Sequence, residues 1–499
     1  MKKIILFGVI AVLALTSCDS FLDINQDPNS PTADKLTSSI LFPGVEMNLA
    51  SSYGNYLRIT GGYFAQHYAH DFGTSNYVDY SQFIMSATRS SSTYTQLNTR
   101  VLYNLETIRT LASKESDWGT YLAATTLRAF TYQALVDAYG EAPYTEALKS
   151  LNNSTPHYDD GQTIYDGILE ELNVALSKVT SNSKVCTNFL FGTTTVEEWV
   201  EFANALKLRI LMRESNVKNV QAELANLIAE NNFPTKDISF DDCWKDEPGK
   251  ASPYYQEEYA SYFGSTQVNV VANIAFMQTM LSSSDTARVA YAFETNKKGE
   301  YTGGVSGTNF SLSTKYKADY FCRPVFKYDM PVFLITVAET EFFLAEYFAR
   351  YGTAVEAENH YKEAIKASFA TVGGTDEQAA GIYNTYYPYD NANYKRLIGI
   401  QKWVALGCVN NFEAWCELRR LGYPAFGTVT GDNLTNEKDS YTPTLYVPGT
   451  LYTPIKVNSE LGSNKLLQRF KYAEASTSRN SNAPATKTGD VPVFWVVNN

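Results

Sequence analysis

Histidine is scarce in this 499-residue chain, which has 4: His67, His70, His157 and His360. There is no G-x-S-x-G elbow, no H-E-x-x-H helix and no phosphate-cradling glycine loop. Elbow-type acyl transfer, zinc peptidase chemistry and nucleotide hydrolysis therefore lack their usual carriers. His67-Tyr68-Ala69-His70-Asp71 sets two imidazoles three residues apart beside a carboxylate. That spacing could meet a metal on one helical face, but we read it as the polar end of a helix. Cysteine is equally thin. Besides Cys18 there are Cys186, Cys243, Cys322, Cys408 and Cys416, an odd set without zinc spacing. Mostly buried thiols are expected, with Cys186–Cys243 and Cys243–Cys322 as alternative bridges.

Positive charge is also in deficit. Lys and Arg number 41 against 53 Asp and Glu, for a net charge of −12. Removal of residues 1–17 would take Lys2 and Lys3 but no acid, moving the charge to −14. A chain so acidic is a poor match for nucleic acid or a polyanionic glycan. After the first residues no run is apolar enough to span a bilayer, which needs roughly 20 residues. What the chain has in excess is aromatic: 36 Tyr, 27 Phe and 6 Trp. Tyrosines in such number suit half-exposed rings with a polar tip.

The start is the one membrane signal. Lys2 and Lys3 precede an apolar run from Ile4 to Leu15, and Leu15-Thr16-Ser17-Cys18 follows. A charged end, a short apolar run and small residues before a cysteine read as a lipoprotein export signal. Residues 1–17 are expected to be removed, leaving Cys18 as an acylated first residue. Each buried methylene would add about 0.8 kcal/mol to the anchoring.

Behind Cys18, residues 18–34 read as an extended tether with Asp27-Pro28-Asn29 and Ser30-Pro31 turns. Residues 35–499 read as one mainly α domain. Ala33 to His70 is expected to be largely helical, broken near Pro43-Gly44. Helix pairs follow at about 88–140, 160–215, 332–371 and 392–422. Leu97, Val101, Leu105 and Ile108 show helical spacing, and Asp117 and Gly140 bound the next helix. Thr195-Val196-Glu197-Glu198 reads as a capping box, and Pro331 as the lead-in to a helix containing Leu334. These pairs are similar to tetratricopeptide repeats, which bury a continuous core only when stacked. Two pairs precede residue 215 and two follow residue 330, so they must meet across the stretch between. That excursion, about 231–329, is loop-rich, with one helix expected at Val270–Leu281 and hairpins from Tyr291 to Asp329. Loops of this length are usually functional. The C-terminal segment is irregular and ends in the strand-like Val493–Val497.

Cys18-Asp19-Ser20-Phe21-Leu22-Asp23-Ile24-Asn25-Gln26-Asp27-Pro28-Asn29 resembles the mature N-terminus of the SusD/RagB lipoproteins. Asp19 and Asp23 resemble their surface-export patch. Asp137-Ala138-Tyr139-Gly140-Glu141-Ala142-Pro143-Tyr144, completed by Glu146-Ala147, is similar to that family's D-x-Y-G-x-x-P-Y-x-E-A turn. Phe343-Leu344-Ala345-Glu346, Gln401–Leu406 and Glu413–Pro424 resemble later family motifs. Leu421 stands where threonine is common, and Cys416 is unusual. The resemblance implies a SusD-like fold, an outer-membrane, cell-surface location through the lipid alone, and capture of an oligosaccharide. It also implies delivery of that ligand to a SusC-like TonB-dependent transporter, without catalytic residues, cofactor or metal. Some members of the family take peptides, so a RagB-like peptide lid is the alternative. A surface glycosidase built on Asp241-Asp242 and Glu257-Glu258 is the lesser rival. Trp403, Trp415 and Arg419 are expected in the core, with Arg419 in a buried ion pair.

By the same resemblance, ligand binds where residues 71–82 meet about 240–265. The first stretch offers Asn76, Tyr77, Asp79 and Tyr80; the second offers Asp242, Trp244, Tyr254, Tyr255 and Gln256. Sugar rings present an apolar face that stacks on exposed aromatic rings. The expectation is a platform of Trp244 with Tyr254 or Tyr255, and Tyr77 opposing it.

Overall fold

The computed structural model describes residues 36–71, 74, 76–149, 152–259, 269–307, 320–435 and 443–497. The export signal 1–17, Cys18 and the tether to residue 34 lie outside the described residues.

The helix Ser38–Ser51 runs through Pro43 without the expected break. Its buried face, with Phe42, Val45, Leu49 and Ala50, holds the turn that lacks one amide donor. A π-helical segment Ser52–Leu57 and the helix Arg58–Phe64 continue it. At Gly61 an added Cβ would stand 2.5 Å from the Phe412 Cα, so glycine permits the close approach of helix Asn411–Leu421. The helix does not reach His70. Gln66 takes a left-handed backbone (φ 55°), and Tyr68–His70 becomes strand β1.

The helix pairs stand where sequence spacing puts them. The first is Ala87–Gln96 and its continuation to Glu115, against Trp118–Tyr139. Asp117 accepts from the Thr120 amide at 3.2 Å, and Gly140 ends the helix at φ 84°. The second is Gly161–Lys178 with Glu197–Glu214. The expected capping box at Thr195 is different in detail: the Glu198 carboxylate accepts from the Thr193 and Thr195 hydroxyls rather than from a backbone amide. The third is Val337–Tyr351 with Ala354–Thr371, the latter opened by a Thr353–Glu356 capping box. Leu334 belongs to a strand rather than to this helix, because the Thr336 side chain caps the helix only from Val337. The fourth is Tyr394–Leu406 with Asn411–Leu421, closed by Gly422 at φ 73°. Helix Glu197–Glu214 packs on Val337–Tyr351, which packs on Tyr394–Leu406. The two halves therefore meet across the excursion.

Buried charge stitches this meeting. Arg209 pairs with Glu339 at 2.6 Å, and Arg213 with Glu413 at 2.6 Å and Asp137 at 3.2 Å. Arg213 also reaches Glu417. Arg420 bonds Glu346 at 2.5 Å and Glu417 at 2.7 Å, and Lys402 meets Glu417 at 2.9 Å. These residues come from all four pairs. Buried ions repay desolvation only with near-complete partnering, which is the pattern here. The neighbouring Arg419 differs from expectation. It donates to the Asp137 and Gln468 carbonyls at 2.9 and 2.7 Å and lies 3.5 Å over the Trp415 ring, with no carboxylate partner among the described residues. Trp403 and Trp415 are buried, donating to the Ala65 and Leu467 carbonyls.

Two short ladders tie the excursion down. Strand β2 (Ile238–Phe240) and strand β4 (Val332–Ile335) are antiparallel, so the excursion leaves and returns at one place. Strand β3 (Val270–Ala272) pairs antiparallel with β1, Tyr68 opposite Ala272. The helix expected from Val270 thus begins only at Ile274, capped by the Asn273 side chain. Phe293 and Pro324 bridge in hairpin fashion. At the C-terminus β5 (Phe426–Thr430) and β6 (Leu451–Thr453) run parallel. Val493–Val497 forms no strand; Trp495 is buried and donates to Asp137 Oδ1 at 2.9 Å. Cys186, Cys243, Cys322, Cys408 and Cys416 are all free thiols, and Cys322, Cys408 and Cys416 are buried, as expected; neither alternative bridge is formed. Burial pushes the Cys186 and Cys243 thiols up to about 12, which keeps them protonated.

Candidate ligand-binding cleft

The loop after the first helices does meet the excursion. Asn76 donates to Asn269 Oδ1 at 3.2 Å, and Asn269 donates to Glu258 at 3.3 Å. The Tyr77 hydroxyl donates to the other Glu258 oxygen. Tyr77 holds a left-handed backbone (φ 61°), a conformation L residues adopt at a cost of roughly 1–2 kcal/mol. Its hydroxyl bond and its ring contacts with Tyr63 and Tyr80 offset that cost. Burial raises the Glu258 carboxyl above the usual carboxylate range, against the lowering effect of its two hydrogen bonds. Tyr77 is thus a clasp on the excursion and does not oppose Trp244.

Two of the rings expected at the ligand are packed inside. Tyr80 is buried, bonded to the Tyr56 hydroxyl at 3.0 Å and wedged among Tyr56, Tyr63, Phe64 and Tyr77. Tyr254 is buried, stacked on Tyr68 and covered by Arg58, whose guanidinium lies 4.8 Å from its ring centre. Neither offers a free face. Helix geometry separates the rest. In Pro253–Glu258, at about 100° per residue, Pro253, Gln256 and Glu257 share one face, Tyr254 and Glu258 point inward, and Tyr255 takes a third direction. Tyr255 stacks on Tyr259 at 5.0 Å, with Phe326 5.8 Å beyond. Trp244 and Tyr255 therefore flank the helix on different sides instead of forming one platform.

Trp244 lines a cleft of about 560 Å³ with Met47, Ser51, Asn55, Phe189, Gln256 and Glu257. That volume suits a small ligand or a few units of a longer one. The indole donates to the Phe240 carbonyl at 2.8 Å, which fixes its tilt from the end of β2. One wall is the π-helical segment, a form often found at functional sites, and Asn55 Oδ1 on it has no hydrogen-bond partner among the described residues. Asp242 is exposed beside Asp241, whose carboxylate accepts from the Asp242 amide at 2.8 Å. Phe189 was not anticipated from sequence. A signal existed one step away: Glu46 falls on the apolar stripe Phe42, Val45, Leu49, and its carboxylate accepts from the Phe189 amide at 2.6 Å.

The histidine pair does not converge. His67 is buried, its ring nitrogens 3.0 Å from Asn411 Oδ1 and 3.0 Å from the Trp403 carbonyl, while His70 Nε2 lies 3.2 Å from the Thr74 hydroxyl. Burial lowers the His67 imidazole to about 3. Among the described residues, Asp137, Glu413 and Cys416 alone have metal-like spacing, and the Arg213 guanidinium already bonds both carboxylates.

A family model described as "Starch-binding associating with outer membrane" (SusD-like) matches residues 28–446. No curated protein matches the sequence. Among solved structures, a SusD homologue from Bacteroides uniformis shares 21% identity with a TM-score of 0.70, over 91% of this chain and 99% of the other. A chitin-binding SusD homologue from Flavobacterium johnsoniae shares 20% identity with a TM-score of 0.69, over 93% and 97% of the two chains. A chitin-binding protein shares 18% identity with a TM-score of 0.71, over 91% and 98%. At such identities the structural likeness speaks for the fold.

Proposed function

The chain belongs to the SusD-like family, and from that premise we propose that it is a cell-surface glycan-binding lipoprotein. It captures a neutral oligosaccharide in the Trp244 cleft and passes it to a SusC-like TonB-dependent transporter. The observation that carries this reading is the cleft itself. Aromatic and amide side chains from the first helices, the loop before the second pair's return helix, and the excursion line one cavity of about 560 Å³. Rings for the sugar face and amides for its hydroxyls are what a neutral glycan needs. Binding without cleavage is favoured by the lining. Glycosidases flank the bond with two carboxyl groups. Glu257 is the one carboxylate among the described lining residues, and Glu258 is buried and bonded to Tyr77 and Asn269. Cys18 is the acylation site in this reading.

Calorimetry of the mature protein with maltoheptaose and chitohexaose, the sugars suggested by the family description and the chitin-binding neighbours, tests it. Binding of at least one, without release of reducing ends, is expected. Binding of peptides instead would turn the reading to a peptide lid. Pull-down from gently solubilised membranes is expected to recover a large β-barrel protein; recovery of the chain alone would count against the transporter.

A further inference from the structure

Glu46 is wholly buried on the apolar face of the helix Ser38–Ser51. Its carboxylate is answered by two backbone amides rather than by a cation: Phe189 N–H at 2.6 Å and Leu190 N–H at 3.2 Å. Burying a carboxyl group costs free energy even as the neutral acid, the form that burial favours here by raising Glu46 to about 8. A hydrophobic residue would serve the helix better, so what Glu46 adds is the position of the loop carrying those amides. The loop is braced a second time. Asn188 Nδ2 donates to the Cys186 and Thr193 carbonyls at 3.1 and 2.7 Å, and Asn188 Oδ1 accepts from the Phe191 amide at 3.0 Å. Leu190 is buried and Phe191 packs edge-on against Trp199. Phe189, between Asn188 and Leu190, is 43% exposed and faces the Trp244 cleft. A loop tied at three points that turns one large apolar ring toward a cavity is poorly explained by stability alone, since an exposed ring contributes little to it.

We propose that Phe189 is a second aromatic wall of the cleft, stacking on a pyranose ring of a neutral oligosaccharide, and that Glu46 is the positioning residue that holds it there. The inference rests on reading the cleft as the glycan site. Aromatic faces attract the C–H face of a sugar, whereas an aliphatic side chain of similar size gives only apolar area. The substitution series follows from that difference.

The test is calorimetry with chitohexaose and maltoheptaose on the mature wild type, Trp244→Ala, Phe189→Ala, Phe189→Leu, Phe189→Trp and Glu46→Gln. Phe189→Ala and Phe189→Leu are expected to weaken binding about tenfold, roughly 1.4 kcal/mol. Phe189→Trp should retain it, and all three should melt with the wild type. If Trp244→Ala weakens binding while Phe189→Ala does not, the second wall is refuted and the cleft stands. If neither weakens a wild-type interaction, the cleft reading falls and takes this inference with it. Failure of the wild type to bind either sugar refutes the ligand class for both. Glu46→Gln sets an amide N–H₂ against one of the two backbone donors. It should weaken binding like Phe189→Ala and speed hydrogen exchange at the Phe189 and Leu190 amides; unchanged exchange removes the positioning role.

Discussion

Arg213 and Trp244 obey opposite rules. Arg213 lies at the junction of the helix pairs, fully buried, bonded to Asp137, Glu413 and Glu417. Trp244 lies on the excursion with one indole bond to a nearby carbonyl and a face on the cleft. In the first region polar groups are spent on each other and fix how four helix pairs register. In the second, rings and amides are fastened by their edges so that a surface remains for something else. The comparison teaches that an aromatic or a charge is read by its partners, not by its type. Tyr254 and Tyr255 are adjacent, yet one is core and the other faces outward.

Breaking the first region should cost most. Arg213→Ala leaves Asp137, Glu413 and Glu417 short of a cation, and a loss of about 3–5 kcal/mol is expected in urea unfolding. A loss below about 1 kcal/mol would show that the network does not hold the pairs together. The two tyrosine neighbours sharpen the boundary. Tyr254→Ala is expected to lose about 3–5 kcal/mol, as for a buried aromatic. Tyr255→Ala should stay near about 0.5 kcal/mol; equal losses would erase the distinction.

Acid probes the core differently. His67 stays neutral in the fold down to about 3, whereas an unfolded histidine takes its proton near 6.5. Its contribution is complete above pH 6.5 and is lost as pH falls from 6.5 toward 3, by up to about 1.4 kcal/mol per pH unit. Glu46, raised to about 8 by burial, works in the opposite sense, favouring the fold between its unfolded value near 4.5 and 8 as pH is lowered. Melting curves of wild type and His67→Asn across that acid window should diverge at low pH; parallel curves would contradict the assignment. Trp244→Ala should weaken glycan binding about tenfold, roughly 1.4 kcal/mol, with its helical circular dichroism intact. A smaller effect than at Trp244 belongs to the clasp. Tyr77→Phe removes one hydrogen bond from Glu258, about 1 kcal/mol, and should speed amide exchange at 76–82 with little change in melting temperature.

Much of the helical half was legible because its signals are local. Asp117, Gly140 and Gly422 act within one turn of the residues they cap, so spacing alone finds them, whereas the Thr353–Glu356 box was not read from the sequence. The short strands were not, because β1 finds its partner about 200 residues away and three residues carry no period of their own. Leu334 shows the failure at close range: an apolar residue just before a helix fits the helical stripe and the strand equally well. In the site, the meeting of residues 76–77 with the excursion was legible through family resemblance. Which ring faces out was not, since a six-residue helix turns neighbouring tyrosines to opposite surroundings. Phe189 was missed because its neighbour in space, Glu46, is recognisable only as an acid on an apolar stripe.

The antiparallel pairing of β2 with β4 has a consequence for how such a protein changes over generations. It brings Phe240 opposite Val332, so the roughly ninety residues between start and finish side by side. A chain segment whose ends are already joined can lengthen cheaply, each doubling adding only about 0.6 kcal/mol of closure entropy. The excursion can then be exchanged like a cassette while the charge-laced helices that carry it stay unaltered.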